Sequence, residues 1–371
     1  MSSRVESEAL QIPSAPLEVP FLRSIALLVT YRCQIACPHC IVEAGPHRTE
    51  EMPVADACGW IEQAIQYRND HVMFVALTGG EPFYNIAQLK QISTFAAKKG
   101  FCVSAVTNAH WAASPASAVE VLREVPGITQ LSFSADSYHE SSIPFGRVVN
   151  AVHAAQECGI PFSVAISTEN ADDPRYKDIV ERVRQLGESI TISTAITFPV
   201  GRAGKALDGA RFPWTSEPPP SACWMGSSPV IFPDGRVIAC CGPVIDLKSS
   251  HPLCLGDLRR ESLEQIFERA EMNTILHAIR LWGPSGLIGM ARDAGLRPYL
   301  PRQYVEGSIC HACYDLMREP HLVECFARLA ENEEFARKVA YARVFYLKET
   351  YMAERLGLAL KSKAVETILP A

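Results

Sequence analysis

From Phe21 to about Ile196 the chain alternates between two textures. Short runs rich in apolar and β-branched residues, SIALLVTY (24–31), HVMFVALT (71–78), FCVSAVT (101–107), QLSFSAD (130–136), FSVAIST (162–168) and ITISTAIT (190–197), predict six strands. Between them lie 54–68, 85–99, 114–125, 146–158 and 174–187, where apolar positions recur at helical spacing. Near-continuous apolar strands joined by helix-length crossovers predict a parallel sheet covered by helices. Six such units make either a doubly wound sheet or an incomplete barrel. The polar and Gly-rich residues gather just after the strands, where both architectures place their sites.

The texture changes at Pro199. The stretch from there to Trp224 is rich in Gly and Pro and reads as a linker. PVIFPDGRVIACC (229–241) reads as a hairpin turning at Pro233-Asp234-Gly235, and a helix is expected near 261–281. From about 318 to the end the pattern is helical and charged. The expected division is an extension over 1–20, an α/β unit over 21–205, a linker and small hairpin-plus-helix unit over 206–325, and a helical extension over 326–371.

Composition narrows the function classes. The chain has 371 residues, a formal net charge of −6 and 48% hydrophobic residues, which suits a folded protein with a substantial core. Mild acidity argues against nucleic acid as a partner. No apolar run reaches the ~18 residues of a membrane span, and residues 1–20 lack a signal-peptide pattern, so a cytoplasmic location is expected. In that reducing setting 13 cysteines point to metal or redox chemistry rather than disulfides.

Three of them, Cys33, Cys37 and Cys40, form C-x3-C-x2-C directly after the first strand. At this cysteine frequency, chance would place three at fixed offsets only about 0.02 times in such a chain. Thiolates are soft anionic ligands suited to iron–sulfur clusters, and three on one loop leave a cubane's fourth iron open for another ligand. A structural zinc site is the alternative. Gly79-Gly80-Glu81-Pro82 follows one β–α unit later, at the end of the second strand. Its glycines permit close backbone approach, and a buried Glu suits an ammonium partner.

With these two motifs the sequence resembles the radical SAM superfamily. That family's loop is C-x3-C-x-aromatic-C; here His39 fills the aromatic slot. The resemblance implies a partial (β/α)6 TIM-type barrel, a [4Fe–4S] cluster on Cys33, Cys37 and Cys40, and S-adenosylmethionine (SAM) chelated to the open iron. Gly79, Gly80, Glu81 and Pro82 would meet the SAM amino group. It also points to Asn108 after strand three, to Ser132, Ser134 and Asp136 sharing one face of strand four, and to Ser167 and Arg202, as contacts to SAM or substrate. Asp136 and His139 are further candidates to face substrate, with a loop ion pair as the alternative.

Seven more cysteines lie beyond residue 220. Cys223 and Cys240 flank the hairpin, and Cys310 and Cys313 form a C-x2-C; two such pairs make a four-thiolate site. This region resembles the SPASM/twitch extension of radical SAM maturases, without the full C-x2-C-x5-C-x3-C signature. That implies one auxiliary [4Fe–4S] cluster on Cys223, Cys240, Cys310 and Cys313. Cys241 is a substitute for Cys240, a second cluster using Cys254 and Cys325 is the rarer variant, and structural zinc is the alternative. Cys241, Cys254 and Cys325 are candidate hydrogen-atom donors. Cys58, Cys102 and Cys158, within helix and strand patterns, are expected to be buried small hydrophobes.

The resemblance implies that an electron from a flavodoxin or ferredoxin cleaves SAM to methionine and a 5′-deoxyadenosyl radical, which removes hydrogen from the substrate. Proteins of this layout commonly modify ribosomally made peptides by crosslinking, epimerisation or oxidation; others dehydrogenate small-molecule alcohols. The segment ahead of strand one is too short for the winged-helix leader-binding unit of some maturases, so a peptide would need either a separate leader-binding protein or direct recognition, with the C-terminal helices (318–371) as the candidate surface. A non-catalytic metal-binding protein is the reading from another class, and it leaves GGEP unexplained.

Overall fold

A computed structural model describes residues 21–67 and 71–356. The expected extension over 1–20 and the last part of the C-terminal extension lie outside the described residues.

Six parallel strands form as the apolar runs predict: β1 (Ser24–Thr30), β2 (Phe74–Gly79), β3 (Cys102–Thr107), β4 (Gln130–Ser134), β5 (Phe162–Thr168) and β6 (Thr191–Ile196), paired in sequence order. The crossovers are α1 (Val54–Gln66), α2 (Ile86–Lys98), α3 (Pro115–Glu124), the short α4 (Ser137–Glu140) with α5 (Phe145–Glu157), and α6 (Pro174–Arg184). Local chemistry fixes their starts. Asn85, Ser114, Asp136 and Asp173 each cap the helix that follows with a side-chain oxygen, and Pro115 and Pro174 occupy first-turn positions that need no N–H. Ile25, Leu27, Val75, Leu77, Val103, Ala105, Leu131, Phe133, Val164 and Ile166 are fully buried against these helices.

Beyond β6 come α7 (Ala203–Ala206), β7 (Trp214–Thr215), β8 (Val230–Ile231), β9 (Arg236–Ile238), β10 (Cys254–Asp257), α8 (Leu263–Glu271), α9 (Thr274–Asp293) and β11 (Tyr304–Val305). The helices α10 (Ile309–Arg318), α11 (Pro320–Ala330), α12 (Glu333–Tyr346) and α13 (Met352–Arg355) complete the order. The expected hairpin forms as β8–β9, but it does not stand alone. β8 pairs in parallel with β1, Ala26 opposite Val230 and Leu27 opposite Ile231, so the sheet has nine strands ordered β10-β9-β8-β1-β2-β3-β4-β5-β6. The fold is therefore mixed α/β with a mostly parallel sheet and a helical C-terminal region.

Two expectations change in detail. The single helix near 261–281 is two helices, because Asn273 caps a new helix, and α9 itself kinks where Gly283 takes φ 68° ahead of Pro284. Cys102 is exposed, and Cys58 and Cys158 are half-buried rather than buried. Cys102 opens β3 on its outward face, and Cys158 is a helix C-cap. α10, α11 and α12 pack on α9, and Arg343 ties α12 to the end of α8. It is 2% exposed, bonds Glu271 at 2.6 Å and Glu349 at 2.5 Å, and Glu349 also takes Arg280 at 2.6 Å. No helix among the described residues is long and apolar enough to cross a membrane.

Candidate active site

The loop from Cys33 to Gly45 contains no helix or strand, so its path is set by bonds to its neighbours. Its ends are closed where the Gly45 N–H donates to the Tyr31 carbonyl and Cys33 N–H to Gly45. Its centre is held from the far end of the six-strand unit. Arg202 donates from Nη1 to the Cys37 carbonyl at 2.7 Å and from Nη2 to the Ala44 carbonyl at 2.6 Å, and its own N–H reaches the Cys40 carbonyl at 3.1 Å. A Cβ on Gly201 would lie 2.4 Å from the Ile41 carbonyl oxygen, so only glycine lets this turn approach so closely.

The loop faces a solvent-open cavity of about 130 Å³. It is lined by Cys33, Cys37, His39, Cys40, Gly79, Gly80, Asn108, Ser134 and His139, among others. The predicted residues from β1, β2, β3 and β4 thus meet at the C-terminal ends of the strands. Gly79 (φ +143°) and Gly80 bring the second turn against the first: Gly80 N–H donates to the Thr30 carbonyl at 2.7 Å, Glu81 N–H donates to the Arg32 carbonyl at 2.9 Å, and a Cβ on Gly80 would stand 2.2 Å from the Arg32 carbonyl oxygen.

Other predicted residues stand behind this lining. Glu81 is fully buried, accepting from Phe83 N–H at 3.0 Å, Thr107 Oγ1 at 2.8 Å and Asn108 N–H at 2.8 Å. Burial raises its carboxyl to about 7 despite these three donors. It ties the turn after β2 to the turn after β3, with Pro82 starting the 3-10 turn that it caps. Asp136, 2% exposed, accepts from Tyr138 N–H and His139 N–H and bonds His139 Nδ1 at 2.8 Å. Burial opposes charge on His139, yet Asp136 holds its imidazole well above the ordinary range. His39 stacks on Tyr138 with ring centroids 4.3 Å apart, and burial lowers it to about 4. Ser167 on β5 and Arg202 are outside the lining of the cavity; both Arg202 terminal nitrogens are committed to loop carbonyls.

The thiols suit a cluster. Burial pushes Cys33 up to about 12 and raises Cys40, so desolvated thiols await a cation that can displace their protons. Donors already point at the sulfurs: Ala44 N–H lies 3.4 Å from Cys40 Sγ, and Asn108 Nδ2 lies 3.6 Å from Cys33 Sγ.

Around the hairpin, Cys223, Cys240, Cys241, Cys310 and Cys313 gather closely enough to act on one another electrostatically. Burial raises Cys240 and Cys313 well above the ordinary thiol value and Cys310 to about 12. A Cβ on Gly242 would sit 3.4 Å from Cys240 Sγ and 3.9 Å from Cys310 Sγ, so both sulfurs flank one glycine, whose N–H donates to Cys240 Sγ at 3.4 Å. Cys254, exposed on β10, lies 3.2 Å from Nε2 of His251, and Cys325 sits half-buried on α11. Sequence reasoning missed Gln34, whose Nε2 donates to Asn108 Oδ1 at 2.8 Å, and Trp111, whose Nε1 donates to Thr107 Oγ1 at 3.0 Å. No motif marks either residue; only the folded contact does.

Residues 27–183 match the radical SAM superfamily, and residues 223–314 match the SPASM iron–sulfur cluster-binding domain. The chain is 22% identical over 326 residues to the candidate peptide biosynthesis protein YydG of Bacillus subtilis (strain 168), covering 84% of this chain and 98% of that one. It is 26% identical over 195 residues to a GTP 3′,8-cyclase of Listeria welshimeri serovar 6b, covering 48% of this chain and 55% of that one. Similar solved structures include native anSMEcpe with bound AdoMet (13% identity, 66% of this chain and 80% of that one, TM-score 0.45). Another is BtrN in complex with AdoMet and 2-DOIA (14% identity, 72% and 89%, TM-score 0.42).

Proposed function

We propose, from the premise that this chain is a radical SAM enzyme carrying an iron–sulfur cluster-binding domain, with SAM and [4Fe–4S] clusters as cofactors, that it modifies a ribosomally made peptide. The observation that carries the peptide is the match to a candidate peptide biosynthesis protein along 98% of that protein's length. Crosslinking, epimerisation and oxidation are the reaction types within this reading.

Bound here, cluster and SAM supply reductive C–S cleavage and a carbon radical that takes hydrogen from an unactivated C–H bond. The chain's residues do the rest. Cys33, Cys37 and Cys40 hold the first cluster, with Arg202 fixing the loop that presents them. The backbone of Gly79 and Gly80 and the side chains of His39, Asn108 and Ser134 line the space for SAM. Glu81 acts through others, clamping the two turns, and Asp136 orients His139 toward the cavity. Cys223, Cys240, Cys310 and Cys313 hold an auxiliary cluster, with Cys241 beside them. A flavodoxin or ferredoxin supplies the electron, and the peptide is either presented by a separate leader-binding protein or recognised directly.

The test begins with anaerobic reconstitution of the wild type and a Cys33/Cys37/Cys40→Ala variant, measuring iron, sulfide and zinc. About eight irons per chain in the wild type and about four in the variant are expected from one cubane per site, with SAM cleavage confined to the wild type. A short precursor peptide encoded beside this protein is then offered as substrate. Loss of two hydrogens reports crosslinking or oxidation; a mass unchanged in ordinary water, with one non-exchangeable deuterium gained in heavy water, reports epimerisation. A SAM-cleaving enzyme that leaves the peptide untouched but oxidises an alcohol would overturn the peptide reading.

A further inference from the structure

Asn108 occupies an unusual position. It is 5% exposed, and its neighbour Ala109, fully buried, takes φ +60°, a left-handed conformation that costs a non-glycine residue about 1–2 kcal/mol. The turn is held there by three bonds: Asn108 N–H to Glu81 Oε2 at 2.8 Å, Ala109 N–H to Thr107 Oγ1 at 3.1 Å, and Trp111 Nε1 to the same Oγ1 at 3.0 Å. The strained turn thus has a fixed place, and what it fixes is a carboxamide.

The orientation of that carboxamide is not ambiguous. His110 N–H, a backbone donor, lies 3.1 Å from Oδ1, and Gln34 Nε2 lies 2.8 Å from the same atom. A backbone N–H can only donate, so this edge is the carbonyl oxygen and the NH2 must point the other way. There it meets Cys33 Sγ at 3.6 Å. Cys33 is itself only 6% exposed, so this N–H···S contact acts where little water screens it.

We propose that Asn108 is a positioning residue that sets the reduction potential of the SAM-binding cluster through its N–H···S bond to Cys33. The inference rests on the reading that Cys33, Cys37 and Cys40 hold that cluster. Reduction places an added negative charge on iron and its sulfur ligands. A fixed N–H dipole aimed at one ligand stabilises the reduced form more than the oxidised form and raises the potential. Gln34 supports this at one remove: its bond to Oδ1 keeps the NH2 turned toward the sulfur.

The test compares cluster-loaded wild type, Asn108→Leu and Gln34→Leu by redox titration followed by electron paramagnetic resonance. The cluster whose spectrum changes on adding SAM is the one under test, and the auxiliary cluster in the same molecules is the reference. Asn108→Leu is expected to leave the SAM-responsive cluster about tenfold less reduced at a fixed potential, a midpoint about 59 mV lower for one electron, with the reference unmoved. Gln34→Leu should shift the same way by less, since His110 N–H still holds Oδ1. A wild-type midpoint in Asn108→Leu, or an equal shift in both clusters, overturns the proposal. If Asn108→Leu does not load its cluster, Gln34→Leu decides, a lowered midpoint supporting the proposal and an unchanged one sinking it. A wild type with no SAM-responsive cluster overturns the underlying reading and the proposal with it.

Discussion

Replacing Arg202 by Met should empty the three-cysteine site without unfolding the sheet. Met keeps the apolar stem and removes both donors, so the carbonyls of Cys37 and Ala44, whose residues are 9% and 3% exposed, lose their partners. A hydrogen bond to a charged group is worth about 1.5–3 kcal/mol, and two at the lower end make about 3 kcal/mol. That loss falls on a loop with no regular structure of its own. At about 1.4 kcal/mol per tenfold, the population of loop ordered for ligation falls roughly 100-fold, and cluster affinity falls by the same factor. The assay is iron loss from the reconstituted protein under an iron chelator, with the auxiliary site as internal control. Arg202→Met is expected to lose the first cluster fast and keep the second; Arg202→Lys, a single point charge, should fall between. Retention at the wild-type rate would refute the clamp. A variant with an intact cluster and weakened SAM binding would show instead that the guanidinium serves the cofactor.

Three further outcomes follow from the same contacts. Gly80→Ala drives a Cβ to within 2.2 Å of the Arg32 carbonyl oxygen, so the turns after β1 and β2 must separate. A loss of about 1–3 kcal/mol should appear in urea unfolding, together with lost SAM binding; an unchanged midpoint would contradict the close approach. Glu81 stands near 7 when folded against an ordinary 4.5. Between those values the unfolded chain ionises first, so the carboxyl makes stability fall as pH rises through that window and level off above it, by about 3 kcal/mol. Urea unfolding of the apoprotein against Glu81→Gln across that range should show the wild type losing ground by about this much, and a constant difference would exclude it. Arg343→Met leaves the buried carboxylates of Glu271 and Glu349 without their shared cation. Breaking such a pair costs about 3–5 kcal/mol, read as a lower melting temperature, and a melt within error of the wild type would show the network to be dispensable.

Much of this was readable in the sequence for identifiable reasons. The six strands and their crossovers carry their own period, so the alternation of the two textures is plain along the chain. The cysteine loop and GGEP were legible because each is short and follows a strand, so the topology alone carries both to one end of the sheet. What escaped was long-range. Nothing near Arg202 announces that it will bond carbonyls some 165 residues earlier in the chain. The apolar run at Val230 predicts a strand but not that it will pair with Ala26. Cys102 sits in a strand pattern, yet its place at the first residue of β3 leaves it exposed. Glu81 and Asn108 were singled out as contacts to a cofactor, but spacing could not reveal that one clamps two turns and the other faces a sulfur.

The pairing of β8 with β1 bears on how the protein can be cut. β1 is SIALLVT, buried along nearly its whole length, and β8 supplies its outer neighbour. A chain ended after α7 would contain every cysteine of the first cluster and every predicted SAM contact. It would also present this apolar strand as a bare edge, a row of unpaired backbone groups that recruits other chains. Such a fragment should aggregate rather than serve as a minimal enzyme. For the same reason a nascent chain must wait for residue 230 before its first strand is safe, which makes the C-terminal part a built-in guard for the N-terminal one.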